Sequence, residues 1–288
     1  MKKPLFQGVC TALVTPFLND EVNYPMMEQL LRRQLDAGIT TIVLSGTTGE
    51  APTLTTQEKL EMFHRAKSFV GNQCKIIAGT GCNSTARTIE LSLAAQEEGV
   101  DGLLVVSPYY NKATTDGLIA HYLTVAHSVQ LPILLYNVPS RTGLDIPVAV
   151  YRQLALCPNI VGVKEASSEL TKITRICHSC VDFTVWSGND EHIVPAMSLG
   201  AQGVVSVLSN ILPAETLAIT QAMQAGDLDT ATALQQQFQP LIDLLFCEVN
   251  PIPVKAAMKY LGYDCGGCRL PLTELTSEHQ RQLKAYFE

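Results

Sequence analysis

Lys164 stands at the end of the run Ile160-Val161-Gly162-Val163, in the stretch NIVGVKEAS. The run reads as a strand buried on both faces, so the side chain is led into surroundings that disfavour the ammonium. A neutral amine attacks a ketone and forms a Schiff base. The competing reading is a lysine paired with a carboxylate or bent back towards water, and the stretch alone leaves both open. Alternation along a strand turns Glu165 to the opposite face, so it is not an automatic partner.

Other groups fall where a second residue of such a site would stand. Tyr136 follows the apolar run Ile133-Leu134-Leu135. It reads either as a core aromatic whose hydroxyl finds a backbone partner or, beside Lys164, as a phenol that relays protons while an imine forms. Thr47 and Thr48 lie between Gly46 and Gly49, where hydroxyls and backbone N–H groups suit a small carboxylate; ordinary turn chemistry is the alternative. The loop has neither the length nor the lysine of a nucleotide-binding loop. Arg141, in Pro-Ser-Arg-Thr-Gly, is either solvated or a bidentate clamp for a carboxylate. His64, His121, His127 and His178 fall in helical patterns without a metal-binding spacing, so no metal site is assigned.

These residues need a scaffold that brings strand ends together. Short apolar runs recur at 8–14, 40–46, 75–81, 101–107, 132–137, 159–165, 183–188 and 202–210, at the spacing of strand-plus-helix units. The segments between them carry helical periodicity. One ends at Gly38, another runs from Thr56 as N-cap to Gly71, and a third closes at Gly99. Eight parallel strands alternating with helices predict a closed (β/α)8 TIM barrel rather than an open sheet, and no dinucleotide fingerprint follows the first strand. From about Pro213 the pattern is helical only. The expected organisation is a barrel over 1–212 and an all-helical region over 213–288 packed on it. In such a barrel the active site lies at the C-terminal strand ends. There stand Ser45 to Glu50, Pro108 to Asn111, Tyr136 to Gly143, Lys164 with Glu165, and Ser187 to Asp190.

Composition narrows the function class. The 288 residues are 47% hydrophobic and 16% charged, with a formal net charge of -7, which fits a globular α/β protein and offers no footprint for nucleic acid. The first residues lack the apolar segment and cleavage site of a signal peptide. No stretch approaches the roughly 20 apolar residues of a membrane helix, so the expected compartment is the cytosol. The nine cysteines read as buried thiols of a reducing compartment. The pairs Cys177/Cys180 and Cys265/Cys268 stand too far apart in sequence for a zinc ribbon.

In order along the chain stand GTTGE (46–50), PYYNK (108–112), YNVPSRTG (136–143), GVKEAS (162–167), SGND (187–190) and NPIPVK (250–255). Over nearly its whole length the sequence resembles the dihydrodipicolinate synthase family of pyruvate-dependent class I aldolases and lyases. The resemblance implies that Lys164 forms the imine with pyruvate, and that Thr47, Tyr136 and Tyr110 form a proton relay, with Tyr110 reaching into a neighbouring subunit's site. It implies that Thr47 and Thr48 hold the pyruvate carboxylate, that Arg141 binds the carboxylate of L-aspartate 4-semialdehyde, and that Gly188 and Val205 line the pyruvate pocket. The implied reaction condenses the two substrates to 4-hydroxy-tetrahydrodipicolinate and opens the route to diaminopimelate and lysine. It needs no metal or organic cofactor. The implied assembly is a homotetramer, a dimer of dimers.

The resemblance also points to a lysine-binding region that includes Ala51, Pro52, Thr56, Lys59, Asn83, Arg87 and Tyr109. Lysine-sensitive bacterial members carry a glutamate at the position of Arg87 and a histidine at that of Thr56. An arginine repels the ligand's ammonium, so feedback by lysine is expected to be weak or absent. Two other readings remain. One is a sister enzyme, N-acetylneuraminate lyase or a 2-keto-3-deoxy sugar-acid aldolase, against which Arg141, the Thr47-Thr48 pair and Tyr110 argue. The other is a keto-acid-binding protein without turnover.

Overall fold

The eight apolar runs form eight strands in the computed structural model, which describes residues 2–288. They are β1 (Gly8–Ala12), β2 (Thr41–Leu44), β3 (Lys75–Gly79), β4 (Gly102–Val106), β5 (Ile133–Asn137), β6 (Ile160–Glu165), β7 (Thr184–Ser187) and β8 (Gly203–Ser206). Each pairs in parallel with its neighbours, and β1 pairs with β8, so the barrel closes without an edge. Several runs end earlier than their apolar pattern. The last strand stops at Ser206, and Leu208–Asn210 form a 3-10 turn.

Period-two alternation sorts the strand side chains into two layers. The outer layer packs against the helices. The inner layer is a separate cluster that fills the lumen with Cys10, Val43, Ile77, Leu104, Leu134 and Trp186, closed below by Leu5 and Phe6. Phe6 and Trp186 stack with centroids 4.7 Å apart. Burying each ring contributes on the order of 2 kcal/mol, and together they make the floor of the barrel.

The surrounding helices are α1 (Tyr24–Asp36), α2 (Thr56–Val70), α3 (Thr85–Glu97), α4 (Thr115–Ser128), the single turn α5 (Pro139–Thr142), α6 (Val148–Leu154), α7 (Leu170–Ser179), α8 (Ile193–Ser198) and α9 (Pro213–Ala225). The N-cap of α2 is Thr55, not Thr56. The Thr55 hydroxyl accepts from Glu58 N–H at 3.2 Å and the Glu58 carboxylate accepts from Thr55 N–H at 2.8 Å. This box needs an acid three residues on; Thr55 has Glu58 there, whereas Thr56 would have Lys59.

Three further helices follow: α10 (Leu228–Leu245), α11 (Ile252–Tyr260) and α12 (Ser277–Phe287). Helix α9 packs on β1 and completes the eighth β/α unit. A division of the chain at residue 213 thus falls between the last strand and its own helix. A two-stranded ribbon, Phe17–Leu18 with Glu21–Val22, intervenes between β1 and α1. No helix among the described residues is long and apolar enough to cross a membrane.

Candidate active site

At the C-terminal end of β6, Lys164 faces the lumen and is 5% exposed. It pairs in register with Tyr136 at the end of β5. Its Nζ lies 4.2 Å from the centre of the Tyr136 ring, within range for attraction between a cation and an aromatic face. Three lysines are buried: Lys164, Lys172 and Lys255. Lys172 is held by Asp145 and Lys255 by Glu50. Among the described residues, no carboxylate lies within ion-pair distance of Lys164, and its amine is left to the lumen. The ion pair that the paired-lysine reading requires is thus missing among the described residues. Glu165 points outward, as alternation predicts, and its partners are Asn137, Ser167, Tyr151 and Lys172.

Gly188 follows β7 and lies against the lysine stem. A Cβ built there would stand 2.6 Å from Ala166 Cβ and 3.0 Å from Lys164 Cε. That close approach leaves no room for a side chain. Val205, 1% exposed on β8, belongs to the same lumen cluster as Tyr136. The structure thus brings Lys164, Tyr136, Gly188 and Val205 to one end of the barrel.

Thr47 is half-buried and Thr48 buried in the loop after β2. Asn250 Nδ2 donates to Thr48 Oγ1 at 2.9 Å. The carbonyl of the same Asn250 accepts from the Arg141 guanidinium at 3.2 Å. One residue therefore joins Thr48 to Arg141, which sits exposed on α5. In the sequence Asn250 is visible only as the start of NPIPVK, because nothing local tells that it reaches Thr48.

Glu50 ends the Thr47-Thr48 loop and is fully buried at its side chain. It accepts from Lys255 Nζ at 2.8 Å and from Arg269 N–H at 2.9 Å. Lys255 also donates to Gly267 O at 2.6 Å, with its Nζ 4.4 Å from the centre of the Phe17 ring. Each oxygen of the buried Glu50 carboxylate thus has a donor, as a buried charge requires.

Tyr110 is the predicted residue that does not join the site of its own chain. It is 92% exposed and its backbone is left-handed, at φ +70°. Lys59, Asn83, Arg87 and Tyr109 gather around Cys82. Burial lowers the Lys59 pKa; the Arg87 charge acts the same way, and Cys82 opposes it. Cys82 and Arg87 also act on Tyr109, whose phenol is pushed up mainly by burial. Ala51 lies in a 3-10 turn and Thr56 is exposed at the start of α2.

All nine cysteines are free thiols and five are buried. Burial pushes Cys74 and Cys265 up to about 12 and Cys268 to about 11, which keeps them protonated and poor as nucleophiles. No group of three or more His, Cys, Asp or Glu among the described residues is arranged to hold a metal ion.

Comparison with known proteins agrees with the geometry. Residues 5–288 match the Dihydrodipicolinate synthetase family. The 4-hydroxy-tetrahydrodipicolinate synthase of Acetivibrio thermocellus is 43% identical over 285 residues, covering 99% of this chain and 97% of that protein. The crystal structure of dihydrodipicolinate synthase from Aquifex aeolicus superposes with a TM-score of 0.96 at 41% identity, covering 98% of this chain and 97% of that one. The enzyme from Cyanidioschyzon merolae, solved with lysine bound, gives 0.95 at 41% identity, with 98% and 97% covered. These relatives carry the synthase name, which does not favour the sister-aldolase reading. With a closed barrel, a lumen lysine against a tyrosine and this likeness over nearly its full length, the chain belongs to the dihydrodipicolinate synthetase family.

Proposed function

We propose that the protein condenses pyruvate with L-aspartate 4-semialdehyde to 4-hydroxy-tetrahydrodipicolinate through an imine on Lys164. The observation that carries this reading is the buried amine of Lys164, without an ionic partner among the described residues and 4.2 Å from the Tyr136 ring centre. Lys164 Nζ attacks the ketone carbon of pyruvate, and loss of water leaves an iminium. Loss of a methyl proton turns the iminium into an enamine, so the imine itself takes up the electron pair. The enamine carbon attacks the aldehyde. The amine of the second substrate then displaces Lys164 and closes the six-membered ring. Tyr136, with Thr47, carries protons to and from the nitrogen and oxygen centres. Thr47 and Thr48 bind the pyruvate carboxylate, Gly188 and Val205 shape its pocket, and Arg141 holds the carboxylate of the semialdehyde.

The test is borohydride reduction with pyruvate, followed by peptide mapping, and then turnover with L-aspartate 4-semialdehyde on unreduced protein. An adduct on Lys164 together with turnover supports the reading. An adduct without turnover moves the protein to a sister aldolase. No adduct from folded protein removes the imine mechanism, and binding of pyruvate without either would leave a keto-acid-binding protein.

The relay is completed in this reading by Tyr110 of the partner subunit, in a homotetramer built as a dimer of dimers. Its support is a large aromatic in solvent on a left-handed backbone, a combination that costs about 1 kcal/mol or more unless neighbours compensate. Tyr110→Ala should lower kcat by roughly 10²-fold, the usual contribution of one proton-transfer group. An unchanged kcat, or a monomeric mass by light scattering of active enzyme, would remove the role.

Feedback by lysine is weak in this reading. Lys59 and Arg87 bring two cations to the region where a lysine ammonium would have to settle. Like charges there oppose binding. Steady-state inhibition by lysine should be negligible at sub-millimolar concentration, and a half-maximal effect in that range would overturn the reading.

A further inference from the structure

On the outer side of the same strand ends, the residues next to Tyr136 and Lys164 form a pair of their own. Asn137 and Glu165 are direct partners in the β5–β6 ladder. They are 0% and 3% exposed. Asn137 Nδ2 donates to the two Glu165 oxygens at 2.8 and 3.1 Å and to Asp145 Oδ1 at 2.8 Å. Asn137 Oδ1 accepts from Ile146 N–H at 3.0 Å. Glu165 also accepts from Ser167 N–H at 2.9 Å and the Tyr151 hydroxyl at 3.3 Å. Lys172 lies 3.7 Å from Glu165 and is hydrogen-bonded to Asp145.

These groups lie on the face opposite Lys164 and do not meet substrate. What they hold is the rung on which the inward pair sits. A slip of that rung by one residue would turn Tyr136 and Lys164 out of the lumen. The β5–β6 ladder carries a register shift at Ile133/Leu134, so the alignment of Tyr136 with Lys164 rests on the four pairs from Leu134–Gly162 to Asn137–Glu165, the last of which is this clamp. The Asn137 side chain also ties down residues 145 and 146, closing the loop that carries Arg141.

We propose that Asn137 and Glu165 are positioning residues: their amide–carboxylate clamp, behind the sheet, sets the alignment of Tyr136 with Lys164 and seats the loop of Arg141. The inference rests on the reading of Lys164 as the imine-forming residue. Asn137→Asp keeps the shape but sets a carboxylate against Glu165 and Asp145. Adding Glu165→Gln restores one donor and one acceptor across the rung with the polarity reversed.

The measurement is the first-order rate of borohydride-trapped adduct on the full chain at saturating pyruvate. The final amplitude reports the folded fraction, and the rate reports alignment within it. Asn137→Asp should trap at least about tenfold more slowly at near wild-type amplitude, since misplacing a reacting group by an ångström costs up to roughly 10²-fold. The double variant should recover most of the rate. A single variant within about twofold of wild type, or a double variant no faster than the single, overturns the clamp. Should Asn137→Asp not fold, Glu165→Gln alone carries the test, with a rate at least about threefold lower expected and an unchanged rate overturning it. Wild-type protein that traps no adduct fails the imine reading itself, whereas a variant that traps at the wild-type rate fails only the clamp.

Discussion

Lys164→Met removes turnover, with kcat lower by roughly 10⁴-fold or more, as expected when a nucleophile is deleted from a set of groups that act as one. Methionine suits the test because it is close in length and flexible enough to fill the same space. The stem keeps its contacts with Gly188 and Tyr136. No ion pair is broken, because no carboxylate lies within ion-pair distance of Lys164 among the described residues, and only the longer-range pull of its charge on the buried Asp190 is lost, so the melting temperature should change little. The readouts are steady-state turnover, thermal melting and trapping with pyruvate and borohydride. The trapped adduct disappears in the variant. An adduct of undiminished yield would move the nucleophile elsewhere. Lys172 and Lys255, the other buried lysines, are each engaged by a carboxylate, and neither is free to replace it.

The second large effect falls on stability. Lys255→Met leaves Glu50 buried without its cation and should destabilise the protein by about 3–5 kcal/mol. For a chain of this size that corresponds to a fall in melting temperature on the order of 10 °C. Both proteins must be compared at one concentration, because association shifts the midpoint. Glu50→Gln added to Lys255→Met removes the stranded charge and should recover most of the loss, since partners in one pair couple strongly. The single variant should also bind pyruvate more weakly, because Glu50 closes the loop of Thr47 and Thr48. A Lys255→Met protein within about 1 kcal/mol of wild type would mean that water or a neighbouring cation reaches Glu50 readily, contrary to its full burial.

The barrel was legible because each strand is an apolar run bounded by a change of period. Lys164, Tyr136 and Gly188 followed from it, since a residue at a C-terminal strand end needs no further information to be placed at the mouth; Val205 came only with the family resemblance. Glu165 was legible as outward-facing for the same reason, but its partners were not: Lys172 and Asp145 come from other segments. Asn250 and Lys255 were visible only as parts of a motif, because their partners Thr48 and Glu50 lie more than two hundred residues earlier. The ribbon at Phe17–Val22 was missed since strands of two residues are too short for alternation to register. Thr55 was missed as a cap although Glu58 stands three residues on, the spacing that distinguishes it from Thr56. Whether Tyr110 points into its own barrel or away from it has no local signature at all.

The Glu50–Lys255 pair spans 205 residues of sequence, and this sets an order of maturation. A chain emerging from the ribosome exposes β2 and its loop long before α11 exists. Domains are made N-terminal end first, at roughly 5–20 residues per second. The strands have their pairing partners by the time β8 is out, but Glu50 then has no cation to meet and Thr48 has no Asn250. The mouth of the barrel therefore becomes native only after its strands are complete, and a nascent chain released early would carry the imine lysine without a finished place to dock a carboxylate.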